Sequence, residues 1–333
     1  MKIIQSAIVI LLAMGLSSCG LNKSENNPVS GVVDTTESAK PSIWHPTFDV
    51  DSAMHFLKKQ CDFGCRTPMS EAHKQCTVYL QQQLNMYCDT VIAQNFDAVN
   101  YAGETWSGVN LIGQIHPEIM RRVALFAHWD CRPFSDNDEK ENWEKPVMGA
   151  NDGASGVAVL LEVARQLQLE NDSLGVDIVF LDLEDGGQPS FEVGEKEDTW
   201  CLGSQYLSKN PYYKGGKPEW GILLDMVGGK TPFFGFDEVS LYFAEARLRQ
   251  VWQNAQQLGY SNAFVPQKSG SIMDDHYYIN LFARIPTIDI IDYHSERGFP
   301  DTWHTQQDTP ENIDTTTLKM VGEVVLKTLR EQL

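Results

Sequence analysis

Positive charge is what this chain has least of: 26 Lys and Arg stand against 45 Asp and Glu, a net charge of −19. A nucleic-acid groove needs a basic footprint, so that class of partner is excluded. The acids are spread rather than blocked, which reads as solubility, with attraction of a cationic substrate by acidic loops as the other reading. Long apolar runs are missing too. The stretch from Ile3 to Leu16 is too short to span a bilayer comfortably, but behind Lys2 it suits the core of a signal peptide. Cysteine spacings of the structural-zinc kind are also absent, because Cys61 and Cys65 have no matching second pair among the seven Cys. No internal repeat is found, and no low-complexity segment follows residue 42.

What is present starts with Leu16-Ser17-Ser18-Cys19, which matches the lipobox of bacterial lipoproteins, whose Cys becomes the lipidated mature N-terminus. Residues 1–18 are expected to be a lipoprotein signal peptide. Residues 19–42, rich in Asn, Ser, Thr, Glu, Pro and Gly, are expected to be a flexible tether held to the membrane by lipid on Cys19. An exported lipoprotein on the periplasmic side of the membrane, or in the cell envelope, follows. Disulfides among the other six Cys are permitted there, and buried free thiols are the alternative. Residues 43–333 are long enough for a single α/β domain with a substantial core.

Within that domain, helical periodicity predicts helices over 52–60 and 70–87, then an antiparallel strand pair over 90–99 and 109–116. The run 122–127 reads as a buried strand leading into His128. Helices over 154–168, 240–258 and 314–331 alternate with apolar strands over 176–182, 220–225 and 286–291. Strands apolar throughout, separated by helices, imply a sheet covered on both faces, whose ligands gather at the strands' carboxyl ends. His128, Glu184, Asp185 and Asp225 lie at such ends. Two acidic insertions, 132–148 and 186–199, leave the same ends and are expected to rim the site.

The chemistry rests on residue types as much as on place. Asp152 lies in a Gly- and Ala-rich turn before a helix, where small neighbours let backbone fold closely around an ion; a capping Asp is the plain alternative. Glu184 and Asp185 are adjacent carboxylates, which repel unless a cation or a shared proton holds them. Asp225 ends an apolar strand, Asp274-Asp275-His276 packs two acids with an imidazole, and His304 sits in a loop without amphipathic period. Carboxylates mixed with imidazole suit zinc, and paired carboxylates can divide into a ligand and a general base.

The ordered clusters His128-Trp129-Asp130, Gly149 to Gly156, Glu184-Asp185, Leu224-Asp225-Met226 and Trp303-His304-Thr305 resemble those of the co-catalytic zinc aminopeptidases. Within that fold the chain is more similar to the glutaminyl cyclases, specifically the lipoprotein-type enzymes of Bacteroidetes bacteria. The marks are Trp200 to Tyr206, Asp274-Asp275-His276 and Phe299 to Thr305, and the resemblance runs from about Asp51 to the C-terminus. It implies a three-layer α/β/α sandwich with a central mixed, twisted sheet. It also implies one Zn2+ on Asp152, Asp185 and His304, with Glu184 as proton shuttle and Asp225 and Asp274 as acidic support. Trp200, Phe299 and Trp303 would wall the substrate pocket. The implied reaction converts N-terminal glutamine of peptides and proteins to pyroglutamate with loss of ammonia, by a monomeric enzyme. Asp185 stands where two-zinc aminopeptidases usually carry Glu, which favours the cyclase. His128, a possible second-site ligand, and Asp225 are both kept, so residue identity leaves the metal count open. The rival expectation is a two-zinc aminopeptidase.

Overall fold

The computed structural model describes residues 47–169, 174–194, 196–213 and 216–332; the expected signal peptide, Cys19 and the whole of the expected tether lie outside them. Helix α1 (Val50–Asp62) begins two residues ahead of expectation because the Asp49 carboxylate accepts from the Asp51 and Ser52 amides. Ser70 caps α2 (Glu71–Tyr87), which buries His73, Cys76, Leu80 and Leu84, while Ala72 and Tyr79 are only half-buried. The hairpin β1 (Thr90–Val99) and β2 (Thr105–Ile115) follows, then β3 (Arg122–His128) and α3 (Ala154–Leu169). Next come β4 (Gly175–Leu181), α4 (Leu202–Lys209), β5 (Trp220–Asp225), β6 (Phe234–Asp237) and α5 (Glu238–Gln257). The chain closes with β7 (Phe264–Gly270), α6 (Asp275–Tyr278) running into a π turn (Ile279–Ala283), β8 (Thr287–Ile291) and α7 (Thr315–Arg330).

Six strands form the main sheet in the order β1-β2-β4-β3-β5-β8. β1, β2 and β4 pair antiparallel; β4, β3, β5 and β8 run parallel. Alternate side chains of the central strands enter two cores, as the pleat requires. Leu125, Ile178, Phe180 and Ile222 face the core shared with α1, α3, α5 and α7. Phe126, Val179, Leu181 and Leu223 face the one shared with Leu207 of α4 and Ile279 of the π turn. That is the expected mixed α/β sheet with helices on both sides. The short parallel pair β6–β7 lies outside it and was not foreseen. The six described Cys are all free, so no disulfide staples the described residues.

Candidate metal centre

Parallel pairing of β3 with β4 on one side and β5 on the other puts their carboxyl ends side by side, and β3 delivers His128, β5 Asp225, and the turn after β4 Glu184 and Asp185. Asp152 comes from the turn before α3. Gly153 there has φ +92°, and a Cβ on it would lie 2.7 Å from Asp130 O and 3.0 Å from the His128 ring. Only glycine lets that turn press against β3. Leu183, Met226 and His304 carry positive φ although none is glycine. Each adjoins or is a site residue, and such strain persists where surrounding packing fixes it.

Asp152, Asp185 and His304 offer two carboxylate oxygens and an imidazole nitrogen within 4.8 Å of one another. His304 Nε2 is 3.1 Å from Asp185 Oδ1 and 3.5 Å from Asp152 Oδ2. All three are buried, and Asp185 Oδ2 has no hydrogen-bond partner. A second set shares Asp152: His128 Nε2 is 3.0 Å from Asp152 Oδ1 and 3.1 Å from Asp225 Oδ1. Burial and then Asp152 push Asp185 up to about 6 and Asp225 up to about 7. Burial alone would lower His304, yet Asp185 and Asp136 carry it up to about 9. Crowded acids with a raised imidazole and an orphaned oxygen are what a cation relieves, and a mixed O/O/N set suits zinc.

Glu184 is half-buried, with Oε2 3.9 Å from His128 Nδ1 and Oε1 accepting from the Cys201 thiol at 3.2 Å. Burial raises its carboxyl well above the ordinary value; His128 opposes this, and Asp185, Asp274 and Asp275 add to it. Asp274 lies in reach of Glu184, capping α6. Behind it His276 Nε2 meets Asp237 Oδ1 at 3.1 Å, and its Nδ1 faces Asp289 Oδ2 at 3.6 Å. The aromatic residues gather as well. Trp303 stacks on the His304 ring with centroids 3.8 Å apart, Trp200 lies parallel to it at 6.0 Å, and Phe299 backs Trp303 at 4.4 Å.

Every site residue expected from sequence is therefore in one place. Four further groups position the site: Asp130, quoted in sequence only as part of a cluster and without a role, and Asp308, Arg132 and Asp136, which were missed. Buried Asp130 accepts from the Glu184 and Asp185 amides at 3.1 and 3.2 Å. Asp308 accepts from the Asn151 and Asp152 amides at 2.7 and 3.0 Å. Arg132 donates to Asp185 O at 2.9 Å, holds Asp136 at 2.7 Å and lies 4.3 Å over the Trp200 ring. Asp136 faces His304 Nδ1 at 3.4 Å. Arg132 and Asp136 belong to the first insertion, which does rim the site. Only its acidity and its exit from a strand end marked it in sequence.

The chain resembles known proteins over most of its length. The family model described as Peptidase family M28 matches residues 110–329. A glutaminyl cyclase from Bacteroides thetaiotaomicron, solved bound to N-acetylhistamine, is 47% identical with TM-score 0.84, over 86% of this chain and 98% of that one. A Zn-dependent exopeptidase from Parabacteroides distasonis is 44% identical with TM-score 0.83, over 85% and 98%. Among curated relatives, the glutaminyl-peptide cyclotransferase of Bos taurus is 26% identical over 248 residues, 65% of this chain. The match spans 64% of that relative's own length.

Proposed function

The chain belongs to peptidase family M28 and stands with the bacterial glutaminyl cyclases inside it, and from that premise we propose that it is a glutaminyl-peptide cyclotransferase. Its substrates are peptides and proteins with N-terminal glutamine; its products are pyroglutamyl chains and ammonia. The observation that carries this reading is the three-donor set beside Glu184, roofed by Trp303 and Trp200. Asp152, Asp185 and His304 would hold one zinc. When bound, zinc supplies Lewis acidity toward the γ-carboxamide oxygen, which is otherwise a poor electrophile's handle.

The chain's own residues do the rest. The tryptophans receive the glutaminyl side chain and exclude water, which would compete as nucleophile. Held bent, the substrate brings its α-amine against its own side-chain carbon, so most of the entropic cost is met on binding. Glu184 takes a proton from the attacking nitrogen as the ring C–N bond forms, and gives it to the amide nitrogen as that C–N bond breaks and ammonia leaves. A carboxyl raised by burial and neighbouring acids suits both halves of that task. Asp274 and Asp225 flank the relay.

The His128–Asp152–Asp225 set favours a second reading, a two-zinc aminopeptidase. Zinc titration of chelated protein against a Gln-initiated peptide tests both. Recovery at one equivalent with ammonia release supports the cyclase; recovery only at two equivalents with free glutamine supports the peptidase. The signal peptide, tether and lipid on Cys19 complete the proposal, supported by Leu16-Ser17-Ser18-Cys19 and the polar stretch behind it. Substitution Cys19→Ala should move the protein from membrane to soluble fractions of the producing cell.

A further inference from the structure

We propose that the Cys201 thiol positions Glu184 for its proton transfers, a reading that rests on Glu184 being the shuttle of the cyclisation. Cys201 is fully buried, and its Sγ donates to Glu184 Oε1 at 3.2 Å. Its backbone holds the same residue, since Cys201 N donates to Glu184 O at 2.9 Å and Leu202 N to Leu183 O at 2.9 Å. The two segments meet through left-handed residues on both sides, Leu183 at φ +55° and Cys201 at φ +56°. Non-glycine residues in that region cost energy that the surrounding structure must offset.

The contact fixes what the rest of the site leaves loose. Asp130 holds the Glu184 amide, and His128 is 3.9 Å from Oε2, beyond hydrogen-bond reach. Among the described residues the thiol is thus the donor that sets the rotation of the carboxylate, and that rotation decides whether an oxygen faces the pocket. A thiol suits the post because S–H is a weak donor: it orients the oxygen while leaving it basic. Burial, then Glu184, Asp275 and Asp274, push the thiol well above its ordinary range, so it stays protonated beside the base. It therefore remains a donor and does not become a rival nucleophile.

The test compares wild type, Cys201→Ala and Cys201→Ser on a Gln-initiated peptide, with zinc content and melting temperature measured alongside. Removing the donor should lower kcat about 10-fold, the scale of a hydrogen bond to a charged group, with KM within about twofold. Serine should recover most of the loss, because its hydroxyl can donate to the same oxygen. Unchanged kcat in Cys201→Ala, or an equal loss in both variants at wild-type zinc content, overturns the proposal. Should the alanine protein fail to fold, infrared difference spectra of wild type minus Cys201→Ser isolate the S–H stretch. A band shifted down from that of an unbonded thiol, and returning toward it in Glu184→Gln, supports the contact; an unshifted band overturns it. If wild type itself releases no ammonia, the cyclase reading fails, while the infrared result still judges the contact.

Discussion

Glu184 and His304 show how much of this site is held by groups that never reach the pocket. Glu184→Gln keeps the shape and removes the base, so steady-state ammonia release should show kcat reduced on the order of 100-fold or more with little change in KM. Asp136→Asn should act through the metal instead. With the charge opposite His304 Nδ1 gone, zinc affinity measured by chelator competition should fall roughly 10- to 100-fold. Equal affinity in the two proteins would remove Asp136 from the account. Glu184, Asp185 and Asp225 were legible in sequence because acids at the ends of apolar strands are anomalous, while Asp152 and His304 stand out as part of the ordered clusters of the resemblance. Asp136 and Asp308 were not legible, nor was the role of Asp130, because each acts through backbone amides or an imidazole that only the fold brings near. Cys201 stood inside a recognisable run, Trp200 to Tyr206, but nothing in that run announces that its thiol meets a carboxylate.

At the scale of elements, the site depends on α3 packing hard against β3 and β5. A Cβ at Gly156 would run into Leu224 O and Ala127 Cβ. Gly156→Ala should therefore push the Asp152 turn away from its partners, lowering stability by roughly 1–3 kcal/mol and weakening zinc binding. Chemical denaturation and metal titration on one sample measure both, and an unaltered zinc affinity would show that the turn tolerates the shift. The residue after β8 makes a pH prediction. Asp292 accepts from Phe233 N at 2.9 Å, and burial raises its carboxyl to about 6 from 3.8. Its neutral form is favoured by folding, so its contribution is full below pH 3.8 and is lost as pH rises through about 6. Asp292→Asn should melt higher than wild type at pH about 8, by an energy of up to about 3 kcal/mol, and near wild type at pH about 4. No difference between the two pH values would contradict the sign. The central strands and long helices were readable because apolar runs and 3.6-residue periodicity are strong signals. β7 was not, since its middle residues Pro266, Gln267 and Lys268 are polar or lack an amide donor and lie exposed. Nor was α4, a short helix entered through a left-handed Cys201 with a glycine in its first turn.

For the whole molecule, one sheet with an antiparallel edge and a parallel centre brings distant sequence clusters to one rim, where Arg132 of the first insertion donates to Gly187 O and Gln188 O at the start of the second. That convergence is why the order of the clusters carries meaning in the sequence itself. The choice between cyclisation and hydrolysis was less readable, because the chain carries both the Asp152–Asp185–His304 set and the His128–Asp152–Asp225 set. Identity of 47% to a glutaminyl cyclase and the aromatic roof over His304 weigh toward cyclisation. The fate of the nitrogen decides it. The purified zinc-loaded protein is given a peptide whose N-terminal glutamine carries heavy nitrogen in its side-chain amide, and the products are weighed. The account predicts heavy ammonia and a peptide of unchanged residue count, lighter by that ammonia alone and retaining its α-nitrogen in the ring. Heavy free glutamine with a peptide one residue shorter would contradict it.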